Sequence, residues 1–168
     1  MKRFAFYIIV AAQVLFLVGM SVAYYAMDAF GETIQLKTAP IDPRDLFYGD
    51  YVILNYEIET IEEGKWAGVV PEYGEIVYVL LEEGENGLYQ VAAASQEKLD
   101  PAAGQVRIKG KYQWHNDGRS EHMVTYGINR YHVEENTGEQ YEQRRDDMIV
   151  EVVVAPWGQK KIINLKLN

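Results

Sequence analysis

The chain contains no cysteine. A disulfide framework and thiolate chemistry are therefore excluded, and stability has to come from a packed core. Serine is scarce as well, with Ser21, Ser95 and Ser120 the only three, and histidine is limited to His115, His122 and His132. Positive charge is also short. With Lys2 and Arg3 set aside from the 16 basic residues, 14 remain against 25 acidic ones, a net of −11 within a whole-chain charge of −9. Such a surface repels phosphate backbones and anionic lipid, so no nucleic-acid partner is expected. There is no internal repeat, no low-complexity tract and no composition shift that would mark a second globular domain.

What the chain does have is a long apolar run. Phe4 to Met27 carries no charge over 24 residues. As a helix at about 1.5 Å per residue it spans roughly 36 Å, enough for a hydrocarbon core of about 30 Å. Lys2 and Arg3 precede it, and Asp28 and Glu32 follow. The excess of positive charge at the start places the N-terminus in the cytoplasm and the remainder outside. Tyr24 and Tyr25 stand where an outer aromatic belt belongs. Ser21-Val22-Ala23 also fits a small-residue cleavage pattern. The run exceeds the usual signal core of about 7–15 residues, and two bulky tyrosines follow at once, so we read residues 1–28 as an uncleaved anchor that lies in the bilayer through residues 4–27.

Residues 29–168 read as one extracytoplasmic β-domain. Ile34 and Leu36 alternate with Gln35 and Lys37 in a first strand, and Val52, Leu54, Tyr56 and Ile58 alternate in a second. Further strands are expected over Ile76–Leu81, Leu88–Ala94, Val106–Trp114, Met123–Tyr131, Ile149–Val154 and Lys161–Leu167. Asn86-Gly87 marks a hairpin. Val106, Ile108, Tyr112 and Trp114 are expected on one face of their strand, and the β-branched run Ile149–Val154 is expected to be buried on both faces. Thr137–Asp147 reads as one short helix or an ordered loop. The expected fold is mainly β: one N-terminal transmembrane helix, then an antiparallel β-sandwich or small β-barrel of about eight strands with at most one short helix.

The stretch Asp42-Pro43-Arg44-Asp45-Leu46-Phe47-Tyr48-Gly49-Asp50-Tyr51 joins turn chemistry to the second strand. Pro43 fixes its own φ and pushes Asp42 to an extended conformation, Asp42 and Asp45 can cap nearby amides, and Gly49 permits a positive φ. Gly49-Asp50-Tyr51, Leu54 and Tyr56 complete the pattern G-D-Y-x-x-L-x-Y. On these residues the chain resembles the GDYXXLXY family of bacterial membrane-anchored proteins. Tyr126-Gly127-Ile128-Asn129-Arg130-Tyr131-His132-Val133-Glu134-Glu135 is similar to that family as well. The resemblance covers most of the chain after the apolar run and implies architecture and motif positions. It implies no activity.

Catalytic constellations are missing from the sequence. The anchor followed by a β-rich domain is similar to type I signal peptidases, whose catalytic serine lies shortly before a Gly-Asp-Tyr-like strand. Here the corresponding positions hold Pro40, Ile41 and Asp42. Lys109 and Lys111 have no nucleophile to serve, so no Ser–Lys dyad forms. His115 and His122 would approach across a hairpin with Asp117 nearby, but a catalytic zinc needs three protein ligands, and the histidines read as loop and strand-edge residues. Asp42, Asp45 and Asp50 read as turn-capping carboxylates rather than a calcium site, with Arg44 their natural partner. No metal and no cofactor is expected.

The 13 tyrosines and three tryptophans leave two further readings. Tyr51, Tyr56, Tyr112, Trp114, Tyr126 and Tyr131 lie on expected strands, either as core and rim residues or as an exposed platform for sugar or protein. The leading expectation is a non-catalytic, membrane-anchored accessory protein that binds an integral membrane or envelope protein. The residues expected to bind that partner or to carry the family motif are Asp42, Pro43, Arg44, Asp45, Gly49, Asp50, Tyr51, Leu54, Tyr56, Tyr126, Gly127, Arg130 and Tyr131. The alternative is a cell-surface glycan-binding module. A hydrolase related in architecture to signal peptidases but lacking their serine comes third.

Overall fold

The computed structural model describes residues 2–39, 51–132 and 148–167. A single α-helix, α1 (Lys2–Phe30), opens the chain, and it is long and apolar enough to cross a membrane. Everything described after it is strand, turn or short 3-10 helix. The strands are β1 (Glu32–Lys37), β2 (Tyr51–Ile53), β3 (Thr60–Glu62), β4 (Trp66–Ala67), β5 (Ile76–Glu83), β6 (Tyr89–Ser95), β7 (Gln105–Asn116), β8 (Glu121–Thr125), β9 (Arg130–His132), β10 (Met148–Val154) and β11 (Lys160–Leu167). The mainly-β expectation holds, with eleven short strands among the described residues where about eight were expected. The 137–147 segment lies outside the described residues.

The strands form a six-stranded sheet in the order β3-β8-β7-β5-β6-β4, a three-stranded sheet β1-β10-β11 and the pair β2-β9. All pairings are antiparallel except the short β4-β6 contact. The three sheets close around one core. Ile34 and Leu36 from β1, Val77, Val79 and Leu81 from β5, Ile108 and Tyr112 from β7, Val124 from β8 and Val150 and Val152 from β10 all belong to it. Each fully buried aliphatic side chain contributes about 1.5–3 kcal/mol over the exposed state. With no cysteine, this cluster carries the stability.

Alternation explains most of these placements, and the departures from it have local causes. The strand expected over Val52–Ile58 ends at Ile53. The chain then makes an isolated bridge from Tyr56 to Thr38 and turns through a 3-10 helix at Glu57–Glu59. Burial still alternates, with Leu54, Tyr56 and Ile58 inward. Met123–Tyr131 likewise divides into β8 and β9, broken at Gly127, whose φ is +71°. In β10 the outer face is not buried at Ile149 and Glu151, where Glu151 meets Lys166 at 2.6 Å and Gln35 at 3.2 Å. The outer face becomes buried at Val153, because the end of α1 covers it: Met27, Val153 and Ala155 form a small cluster of their own.

That junction ties the helix to the domain. Lys161 reaches Asp28 at 2.7 Å and lies 4.4 Å from the centre of the Tyr24 ring. Gly31 donates its N–H to Met27 at 2.8 Å, and a Cβ added there would run into the Val153 side chain and the Met27 carbonyl. The helix therefore meets β10 without a spacer.

One irregularity decides which side chains face outward at the end of β7. In β7 the inward residues are Val106, Ile108, Gly110 and Tyr112. The pairing with β8 then shifts, so that Tyr112 opposes Val124 while Trp114 opposes Met123, and Gln113 is the extra residue of a β-bulge. A bulge re-aims every side chain beyond it. Trp114, expected on the inner face, is turned out and left 55% exposed. His115 is turned inward in its place, opposite His122.

Candidate functional site

The two segments that carry the family pattern are bound to each other. β2 pairs with β9, Tyr51 opposite His132 and Ile53 opposite Arg130. Just beyond, Leu54 donates its N–H to the Asn129 carbonyl at 2.8 Å, and the Asn129 amide returns a bond to the Leu54 carbonyl at 3.3 Å. The Tyr56 hydroxyl donates to the Ile128 carbonyl and the Tyr126 hydroxyl donates to the Ile58 carbonyl, both at 2.7 Å. Each tyrosine thus satisfies a buried carbonyl of the other segment, where an unmet acceptor would be costly.

Glu59 completes this arrangement. It is 7% exposed, takes the Tyr56 N–H at 3.1 Å and takes the Asn129 amide at 2.8 Å. Burial raises its pKa above the ordinary carboxylate value, and the two hydrogen bonds only partly oppose that. Burial, with the Glu59 charge adding to it, also pushes the Tyr56 and Tyr126 hydroxyls upward, so both remain proton donors. Beside this cluster a groove of about 380 Å³ opens to solvent. Asn55, Asn129, Gln113, Met123 and Trp114 line it, with Glu59 in its wall. Both family segments border the groove, and the bulge at Gln113 supplies its aromatic rim.

The expected contact residues fall into three groups. Asp42, Pro43, Arg44, Asp45, Gly49 and Asp50 lie outside the described residues, and Tyr51 is described only for its backbone in β2. Leu54, Tyr56 and Tyr126 are buried in the core and present no side chain to a partner. Gly127 and Arg130 are exposed, and Tyr131 packs half-buried against the core. Of the tyrosines read as a possible platform, Tyr56, Tyr112 and Tyr126 are core residues. Among the members of that set whose side chains are described, Trp114 is the exposed aromatic.

A second cluster was read differently from the sequence. His122, expected at a strand edge or in a loop, is fully buried in β8. Its ring stacks on Trp66 at 4.5 Å and lies 4.6 Å from the His115 ring. Its Nδ1 is 3.1 Å from the Tyr112 hydroxyl, and the Nδ1 of His115 is 2.8 Å from the Asp117 carboxylate. Both Nε2 atoms turn to one oxygen, Oε2 of Glu63, each at 2.9 Å. Neither is in line to hydrogen bond with it. Burial lowers the pKa of His122, His115 adds to that, and Glu63 opposes it. Glu63 is the member the sequence hid. It stands in a turn after β3, brought alongside by the β3-β8 pairing and by its N–H bond to Ser120 at 3.0 Å.

Residues 13–165 match the family model described as GDYXXLXY protein. No curated protein and no solved structure matches the chain.

Proposed function

We propose, for a chain that belongs to the GDYXXLXY family, the role of a membrane-anchored accessory protein without catalytic activity of its own. Its α1 helix crosses the bacterial cytoplasmic membrane as an uncleaved signal-anchor with the N-terminus inside, and its β-domain docks outside on an integral membrane or envelope protein. The groove beside the two linked family segments supports this reading most directly. There the buried residues of the pattern act as internal fasteners, and the surface they set in place carries Trp114, Asn55, Gln113 and Asn129. An exposed aromatic ringed by adaptable amides suits a protein contact. The helix–domain junction supports the anchor reading, because Met27, Asp28 and Tyr24 each engage β10 or β11 side chains and hold the groove in a set position relative to the helix. An anchor also raises the effective concentration of the domain for partners in the same membrane.

The test is affinity isolation of the full-length chain from solubilised membranes, wild type against Trp114→Ala. A membrane or envelope protein recovered with the wild type and depleted with the variant supports the reading. Equal recovery of the same proteins with both contradicts it.

One observation favours a second reading, a glycan-binding module. Trp114 beside Asn55, Gln113, Asn129 and the carboxylate of Glu59 is also a surface on which a sugar ring can stack and hydrogen bond. Retention of the wild-type chain, but not of Trp114→Ala, on purified wall polysaccharide would select it.

A further inference from the structure

The two imidazoles around Glu63 Oε2 lack the geometry of a finished hydrogen-bond network. Two imidazole nitrogens sit 2.9 Å from one carboxylate oxygen, buried from solvent and misaligned for donation to it. The outer nitrogens already have partners. His115 Nδ1 faces the Asp117 carboxylate, which can only accept, so that nitrogen donates, and in the neutral ring Nε2 turns a lone pair toward Glu63. A lone pair 2.9 Å from a carboxylate oxygen is repulsive unless a proton or a metal ion lies between them, and the misalignment disfavours the proton. His122 Nδ1 is held by the Tyr112 hydroxyl, with Trp66 stacked on the ring, so its Nε2 direction is fixed as well. Nδ1 atoms anchored by a carboxylate and a hydroxyl, with Nε2 atoms converging, are the arrangement that orients metal-ligating histidines.

We propose that His115 Nε2, His122 Nε2 and Glu63 Oε2 form a binding site for a divalent first-row transition-metal ion of the zinc class, with a fourth position open to solvent. The three atoms lie within 4.8 Å of one another. A tetrahedral ion with bonds of about 2.0–2.2 Å holds its ligand atoms about 3.4 Å apart. The 2.9 Å contacts must therefore widen by about half an ångström. Glu63 can supply that, because its side chain is 55% exposed on a turn while His122 is fixed in the core. The same exposure gives the ion a path in and leaves room for a water or a partner's ligand. Two imidazoles and one carboxylate select zinc, copper or nickel over calcium or magnesium, which take oxygen ligands. The site joins the turn after β3, the end of β7 and the start of β8. It lies about 30 Å along β7, at 3.3 Å per residue, from Gln105, which borders the end of α1. This inference stands independently of the accessory role and of the groove.

The experiment uses the full-length chain in detergent micelles, stripped with a chelator and titrated with Zn²⁺ by calorimetry and with Co²⁺ by visible absorption. One ion per chain is expected, with the d–d bands of tetrahedral cobalt. His115→Ala, at a half-buried hairpin position that leaves the core intact, should weaken Zn²⁺ binding by about 100-fold or more. Asp117→Asn, which touches only the outer nitrogen, should weaken it by about tenfold. Asp100→Asn, whose partner is Arg107, should leave it unchanged. Circular dichroism of each variant separates loss of the site from loss of the fold. Absence of stoichiometric uptake by the wild type overturns the proposal, as does uptake that His115→Ala and Glu63→Gln leave untouched. In either case the cluster is a proton-bridged network only.

Discussion

The Tyr56 hydroxyl donates to the carbonyl of Ile128 at 2.7 Å, and the Tyr126 hydroxyl returns the same bond to Ile58. The last tyrosine of G-D-Y-x-x-L-x-Y and the first of the second family segment therefore fasten each segment to the other from inside the core. In the proposed role, their contribution is to hold the groove surface in place.

Removing either hydroxyl leaves a buried carbonyl unmet. Tyr56→Phe and Tyr126→Phe should each lower unfolding stability by about 1–2 kcal/mol. Chemical denaturation of the two single variants measures this. Two neutral variants would mean that the carbonyls find other donors and that the fastening is incidental.

Glu59 gives the same cluster a pH signature. Its folded pKa is raised, mainly by burial, so the folded chain holds the proton at a higher pH than the unfolded chain does. Between the ordinary carboxylate pKa and the raised folded value, stability then falls as pH rises, and above the folded value the full cost of the buried charge is present. Glu59→Gln should flatten that decline in a stability profile from acid to neutral pH. A variant profile parallel to the wild type would contradict the burial argument.

At the helix–domain junction, Gly31 leaves no room for a side chain. Gly31→Val should part the end of α1 from β10. The readout is zero-length carbodiimide crosslinking of Asp28 to Lys161, which lie 2.7 Å apart. The crosslinked peptide is expected in the wild type and should be lost in the variant. Equal yields would show that the junction tolerates displacement.

Much of this architecture was legible in the residues. The uncharged run gave α1, the alternation of Ile34 with Leu36 gave β1, and Asn86-Gly87 gave the β5-β6 turn, where Gly87 has φ +74°. The family pattern was equally plain, and Tyr56 is in the core, where its alternation with Leu54 and Ile58 favours it.

What stayed hidden depends on register. Simple alternation carries Trp114 inward with Tyr112, and nothing in the local sequence announces that Gln113 is an extra residue. That single insertion turns Trp114 to the groove and His115 to His122. Glu63 stayed hidden because its partners come from β7 and β8, which only sheet pairing brings close. Glu59 was hidden for a related reason: a strand was expected where the chain turns, and the turn is what buries the carboxylate.

The most direct measurement is in-cell photocrosslinking of the full-length protein with a photoreactive residue in place of Trp114, followed by mass spectrometry. Because Trp114 is 55% exposed, the replacement should shift stability by no more than about 0.5 kcal/mol. A discrete adduct to one membrane or envelope protein is expected, lost when the anchor is deleted. Abundant protein without an adduct above background, or adducts spread over unrelated proteins, would contradict the groove as a docking surface.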